Sequence, residues 1–236
     1  MGLAGVIVVL TVLVSWLLRV GRRAQGAEWN NGLINSLDGL CRIFCNRFHG
    51  LVFDPIEAPP NGGAIVASNH LSGLDPLLLA CASSKPLRYM IATEQYQRPW
   101  FRWLYRSMGS IPVDRTGAPE KAFYAARQAL EKGELIVVFP QGRITRPDED
   151  IPLKRGVILL ADLAHAPIIP VRLSGIVGVG RVLTAIFMRS EARLDTGTPI
   201  RVEGPRDNKA IAELKSFICV PAPHLEPGLD RKRSQF

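Results

Sequence analysis

His70 lies five positions before Asp75, in the stretch Asn69-His70-Leu71-Ser72-Gly73-Leu74-Asp75-Pro76 that follows a short apolar run. An imidazole titrates near neutral pH, and a carboxylate partner fixes its tautomer and steadies the imidazolium, so this pair has the makings of a general base. The plain alternative is that Asp75 stands as the N-cap of a helix while Asn69 and His70 are ordinary turn residues. Three further stretches bear on the choice. Gly109 to Arg115 (GSIPVDR) is a short extended segment ending in a charged pair, and the planar fork of Arg115 suits a phosphate oxygen. Phe139 to Arg143 (FPQGR) follows an apolar run, so Gly142 lets the backbone approach a ligand and Arg143 stands at the edge of a sheet. Lys154, Arg155 and a helix starting at Gly156 add positive potential nearby.

These residues need a scaffold, and the chain alternates extended and helical patterns. A strand over Ala64 to Ser68, after the turn residues Asn61, Gly62 and Gly63, leads through a bend eased by Gly73 into a helix over 77–83. Strands follow at 87–92, 135–139 and 168–173, and helices at 99–107, 118–131 and 156–164. The pattern predicts an α/β domain with a mixed, largely parallel sheet flanked by helices. Residues 31–48 have helical apolar spacing. Beyond 175, Gly175, Gly178 and Gly180 suggest a mobile connection, 193–202 suggests edge strands around a turn, and Ile211, Leu214 and Ile218 mark a short amphipathic helix. The proline-rich tail from Pro221 ends in Arg231, Lys232 and Arg233 and is expected to lack fixed structure and to meet anionic headgroups.

The chain opens with an uncharged run from Gly2 to Leu18, followed by Arg19, Arg22 and Arg23. As a helix this run spans roughly 25 Å, the short end for a bilayer crossing. Its positive charges follow the apolar run, unlike those of a secretory signal, and should remain cytoplasmic with everything after them; a re-entrant or interfacial helix is the rival. The resulting division is 1–20 as N-terminal membrane anchor, 21–50 as helical connector, 51–205 as catalytic domain and 206–236 as C-terminal helix and flexible tail. With 47% hydrophobic residues the chain is not disordered, and its net charge of +8 calls for an anionic partner. No nucleic-acid-binding motif occurs, so membrane and phosphorylated substrate are the favoured partners. Cys41, Cys45, Cys81 and Cys219 have no metal-ligand spacing; Cys41 and Cys45 share a helix face, and all four are expected as reduced thiols, with no metal. Around 99–107, Arg98, Arg102 and Arg106 recur opposite Trp100, Trp103 and Leu104. That describes either an interfacial helix at an anionic bilayer or a solvated basic face with the aromatics in the core.

Taken together, Asn69 to Asp75, Gly109 to Arg115, Phe139 to Arg143 and Ile169-Pro170-Val171 resemble, in order and spacing, the four motifs of the glycerolipid acyltransferases typified by 1-acylglycerol-3-phosphate acyltransferase. The resemblance covers about residues 50–175. Phe139 to Thr145 also resembles the version in bacterial lysophosphatidylethanolamine acyltransferase domains. The resemblance implies that His70 takes the proton of a lysophospholipid hydroxyl, which attacks the thioester of acyl-CoA or acyl carrier protein directly, while Asp75 orients His70. Arg115, Gly142, Arg143 and Lys154 would hold the acceptor's phosphate, with Asn69 and Gln141 in support; the thioester is a co-substrate and no cofactor is implied. The family usually has Glu where this chain has Gln141, which keeps a non-catalytic membrane-bound lipid-phosphate binder in view. A serine hydrolase would need Gly-x-Ser-x-Gly, which is absent.

Overall fold

The run Ala64 to Ser68 is buried at every position, as a strand covered on both faces requires. The computed structural model describes residues 2–115, 117–149 and 151–219. In chain order these form α1 (Leu3–Arg23), α2 (Gly32–Phe48), β1 (Val52–Phe53), β2 (Ala64–Ser68), α3 (Asp75–Ala82), β3 (Leu87–Ala92), α4 (Thr93–Tyr96) and α5 (Pro99–Ser107). There follow β4 (Ile111–Val113), α6 (Pro119–Glu131), β5 (Leu135–Val138), α7 (Gly156–Ala164), β6 (Ile168–Ser174), a 3₁₀ turn at Thr184–Phe187, β7 (Arg193–Thr196) and α8 (Asn208–Ile218). The strands make one sheet in the order β1-β7-β6-β2-β5-β3-β4. Neighbours are parallel except β6 and β7, so five successive strands point the same way and their C-terminal ends share one edge. The mixed, mostly parallel sheet expected from the alternation is therefore present.

Alternation along β2 divides the core. Val66 joins Leu71, Leu74, Leu78 and Val171 on one face, while Ile65 and Ala67 join Ile136, Val157, Ile158, Ala126 and Leu214 on the other. The first face is covered by α2 and α3, and the second by α6, α7 and α8. Arg42 of α2, paired with Asp38 at 2.9 Å, donates to the carbonyls of Ala80, Cys81 and Ser83 and so satisfies the end of α3. The segment expected as a connector is thus clamped to the sheet domain. Cys41 and Cys45 share a face of α2 as expected, but Cys81 of α3 comes to the same point, a meeting that linear spacing does not reveal.

Helix α1 runs past Leu18 through all three arginines, and its 21 residues span about 31 Å. It is the one helix among the described residues long and apolar enough to cross a membrane. Eleven of its large apolar side chains, from Leu3 to Leu17, are exposed, and each would gain about 1.5–3 kcal/mol from burial. Water is a poor partner for such a surface; lipid is a good one. Gly21 is its one buried residue, and there a Cβ on Gly39 would fall 1.8 Å from the Gly21 carbonyl oxygen, so glycine is needed for the crossing of α1 and α2.

Several expectations are corrected. The stretch 193–202 gives one strand, β7, plus a bridge between Ile200 and Ile168, because the turn after Thr196 leaves too few residues for a second ladder. The glycine-rich stretch after 175 is tied down: Gly180 N–H donates to the Leu71 carbonyl at 2.8 Å and Gly73 N–H to the Arg181 carbonyl at 3.0 Å. Helix α5 has no buried residue, with Trp100 85% and Trp103 48% exposed, which removes the reading that places its aromatics in the core. The short elements β1 and α4 escaped the sequence pattern, being only two and four residues long. The tail from Pro221 lies outside the described residues.

Candidate active site

Two parallel strands, β2 and β5, deliver the site. Where β2 ends, the chain turns through Asn69 to Leu74 before α3 begins, and the turn is held by side chains rather than by a ladder. Asn69 acts as a strand-end adaptor: its amide accepts from Leu173 N–H at 2.7 Å and donates to the Leu173 carbonyl at 2.9 Å. Gly73 has no positive φ, so its role is not the bend expected from the sequence; a Cβ there would lie 2.0 Å from the Val182 carbonyl oxygen. Close approach of the 175–190 loop is what requires glycine.

Asp75 is fully buried and opens α3 as its first residue, with Leu74 rather than Asp75 at the N-cap. Its carboxylate faces back into the turn. Oδ2 accepts from His70 Nδ1 at 2.7 Å, Leu71 N–H at 2.6 Å and Ser72 N–H at 3.0 Å, and Oδ1 accepts from Ser72 Oγ at 3.0 Å. A capping role is thereby replaced by a cage of donors around one carboxylate, with His70 as one of them. The Ser72 hydroxyl is committed to Asp75, to which it donates, and to Leu74 N–H, from which it accepts.

The imidazole is fixed on three sides. Its ring stacks on Phe139 with centroids 4.0 Å apart, its backbone N–H donates to Gln141 Oε1 at 2.7 Å, and its carbonyl accepts from Thr145 N–H at 2.8 Å. With Nδ1–H engaged by Asp75, Nε2 is left as the acceptor nitrogen. The side chain remains 20% exposed, enough to meet a substrate. Phe139 and Thr145 lie within or beside the FPQGR stretch, but their contacts with His70 cross between strands and were not legible in either motif alone.

The cations are less evenly gathered. Gly142 has φ +74° and a Cβ there would sit 2.5 Å from Lys154 Cε, so glycine allows both the left-handed turn and the approach of Lys154. Arg143 is mostly exposed and pairs with Glu149 at 2.6 Å, a hydrogen bond that holds the Glu149 carboxyl below its ordinary range. Arg115 is exposed just after β4, three strands from β2, or roughly 14 Å across the sheet at about 4.8 Å per strand. The structure therefore brings His70, Asp75, Asn69, Gln141, Gly142 and Lys154 together, sets Arg143 at the rim, and leaves Arg115 farther along the same edge. Among the described residues, a cavity of about 170 Å³ lined by Arg88, Glu134 and Lys132 lies at the opposite, N-terminal ends of β3 and β5, away from this chemistry.

The chain is similar to several known proteins. The 1-acyl-sn-glycerol-3-phosphate acyltransferase of Bacillus subtilis is 28% identical over 150 residues, covering 63% of this chain and 72% of that protein. The enzyme of the same name from Streptococcus pneumoniae is 27% identical over 140 residues, covering 58% and 50%. A probable one from Mycoplasma pneumoniae is 29% identical over 129 residues, covering 52% and 48%, so against these last two the chain spans about half the relative's length. The crystal structure of the 1-acyl-sn-glycerophosphate (LPA) acyltransferase of Thermotoga maritima shares the fold, with a TM-score of 0.61 at 18% identity over 80% of this chain and 77% of that one. Residues 52–174, just over half of the sequence and spanning every motif described above, match the family model described as Acyltransferase, and the chain belongs to that acyltransferase family.

Proposed function

We propose that the protein is a membrane-associated acyltransferase that moves a fatty acyl group from acyl-CoA or acyl carrier protein to the hydroxyl of a lysophospholipid, with 1-acylglycerol-3-phosphate as acceptor and phosphatidic acid as product. The carrying observation is the 2.7 Å contact between His70 Nδ1 and the buried Asp75 carboxylate. Nε2 takes the proton as the acceptor oxygen attacks the thioester carbonyl carbon. The tetrahedral oxyanion collapses, the carbon–sulfur bond breaks, and the imidazolium returns the proton to the departing thiolate. Asp75 steadies the imidazolium between these steps, and Phe139 keeps the ring from swinging away. Lys154, Gly142 and Arg143, with Arg115 farther along the edge, receive the acceptor's phosphate. The relatives named for 1-acyl-sn-glycerol-3-phosphate support this acceptor; the Phe139 to Thr145 stretch favours lysophosphatidylethanolamine as the alternative.

Both acceptor and product are lipids, so α1 keeps the site at their source. In this reading residues 1–20 anchor, 21–50 connect, and 51–205 catalyse on the cytoplasmic side, where Arg19, Arg22 and Arg23 hold the flank of α1. The test is the initial acylation rate of reconstituted full-length protein over a panel of lysophospholipids with either donor. His70→Ala is expected to lose on the order of a hundred- to ten-thousand-fold in rate with unchanged melting temperature. Retention of more than about a tenth of the wild-type rate would overturn the mechanism.

A further inference from the structure

On the face of the sheet away from α6 and α7, three thiols from two helices converge. Cys41 Sγ lies 4.0 Å from Cys45 Sγ and 3.9 Å from Cys81 Sγ, and all three sulfurs lie within 4.8 Å of one another. We propose that Cys41, Cys45 and Cys81 form a thiolate site for a zinc-class divalent cation that joins α2 to α3.

Spacing is the first support. Thiolates bound at about 2.3 Å stand about 3.8 Å apart around a tetrahedral ion and about 4.0 Å apart around a trigonal one, so one ion fits with little movement of the side chains. The second is placement. Cys45 and Cys81 are 0% and 2% exposed within the apolar cluster, whereas Cys41 is only partly buried. The Leu77 carbonyl oxygen stands 3.8 Å from Cys41 Sγ.

Charge selects the class of ion. Three thiolates leave one negative charge around a divalent cation and two around a monovalent one, and burial penalises the larger excess. Arg42, next along α2 and itself buried, adds a positive charge beside the thiols, offset in part by its partner Asp38. Arg42 caps α3 through the carbonyls of Ala80, Cys81 and Ser83, so the ion would reinforce a junction whose far helix carries Asp75 at its first position.

The experiment uses reduced, detergent-solubilised full-length protein incubated with Zn(II), freed of excess, and assayed for metal content and for thiol alkylation before and after a chelator. Co(II) in place of zinc reports thiolate ligation through sulfur-to-metal charge-transfer absorption. Stoichiometric metal, chelator-reversible protection of Cys41, Cys45 and Cys81 but not of Cys219, and loss of both in Cys81→Ser are expected. Cys219→Ser should keep the metal. Because Cys81→Ser can also perturb packing, the Co(II) spectrum and the site-resolved alkylation of the wild type stand on their own. Wild-type protein without the charge-transfer bands, with alkylation indifferent to zinc, or showing only a Cys41–Cys81 disulfide after air exposure would overturn the proposal.

Discussion

Gln141 works through its carbonyl. Oε1 accepts the backbone N–H of His70 at 2.7 Å, and the residue is 8% exposed, so position 141 is part of the frame that holds the imidazole. A glutamate oxygen makes the same bond, and Gln141→Glu is expected to change the initial rate by no more than about threefold. Gln141→Leu leaves a buried N–H without a partner, a cost of about 1–3 kcal/mol at the turn that carries His70, and should slow the reaction by roughly tenfold or more. Rates measured across acceptor concentrations decide: a tenfold gain from Gln141→Glu would show that charge matters here, and would favour a weakened or binding-only natural protein. Arg143 is a different kind of residue, exposed and already hydrogen-bonded through Nη2 to Glu149. Arg143→Lys keeps the charge but removes the paired donors, so acceptor KM should rise on the order of tenfold while donor KM is little changed. A rise confined to the donor would reverse the assignment of the two sites.

At the scale of elements, helix ends do much of the positioning. His49 caps the C-terminus of α2, where it is fully buried between Phe44, Phe48 and the 3₁₀ turn; Nε2 lies 3.1 Å from the Ile186 carbonyl oxygen, and Nδ1 has no partner. Burial pushes its pKa below the ordinary 6.5, outweighing the carbonyl. The folded state therefore binds this proton less readily than the unfolded chain. The sign follows from linkage: the stability it contributes is fully present above the unfolded value and falls as pH drops from there toward the lower folded value. Thermal melts between about pH 7.5 and pH 5.5 should show a steeper loss for wild type than for His49→Gln, which keeps a donor for Ile186 but cannot charge. Parallel slopes would remove His49 as the cause.

At the scale of the molecule, the parallel strands put every phosphate-seeking candidate on one sheet edge, and α5 leaves from that same edge after β3 and α4. Exposed Trp100 and Trp103 on the face opposite Arg98, Arg102 and Arg106 suit an anionic interface, so α5 is expected to touch the bilayer as a second contact besides α1. A full-length variant with Trp16, Trp29 and Trp103 replaced by Phe leaves Trp100 as the reporter. In vesicles containing anionic lipid its fluorescence should be quenched by brominated acyl chains. Quenching only by aqueous iodide would place α5 in water.

The sequence alone determined what depends on near neighbours. Uninterrupted apolar runs set the buried strands, helical spacing set α2, α6 and α8, and the uncharged opening run set α1, because periodicity records which side of an element faces water. The spacing of His70 and Asp75 was also legible, since one tight turn joins them. Other features required contacts between residues distant in the chain. The Gln141 bond to His70, the Phe139 stack, the loop held over Gly73 and the meeting of Cys81 with Cys41 all cross between elements. Tertiary structure also separated Arg115 from Lys154, because strand order places β4 three positions from β2, and that order is decided by how helices cover the two faces of the sheet rather than by any local pattern.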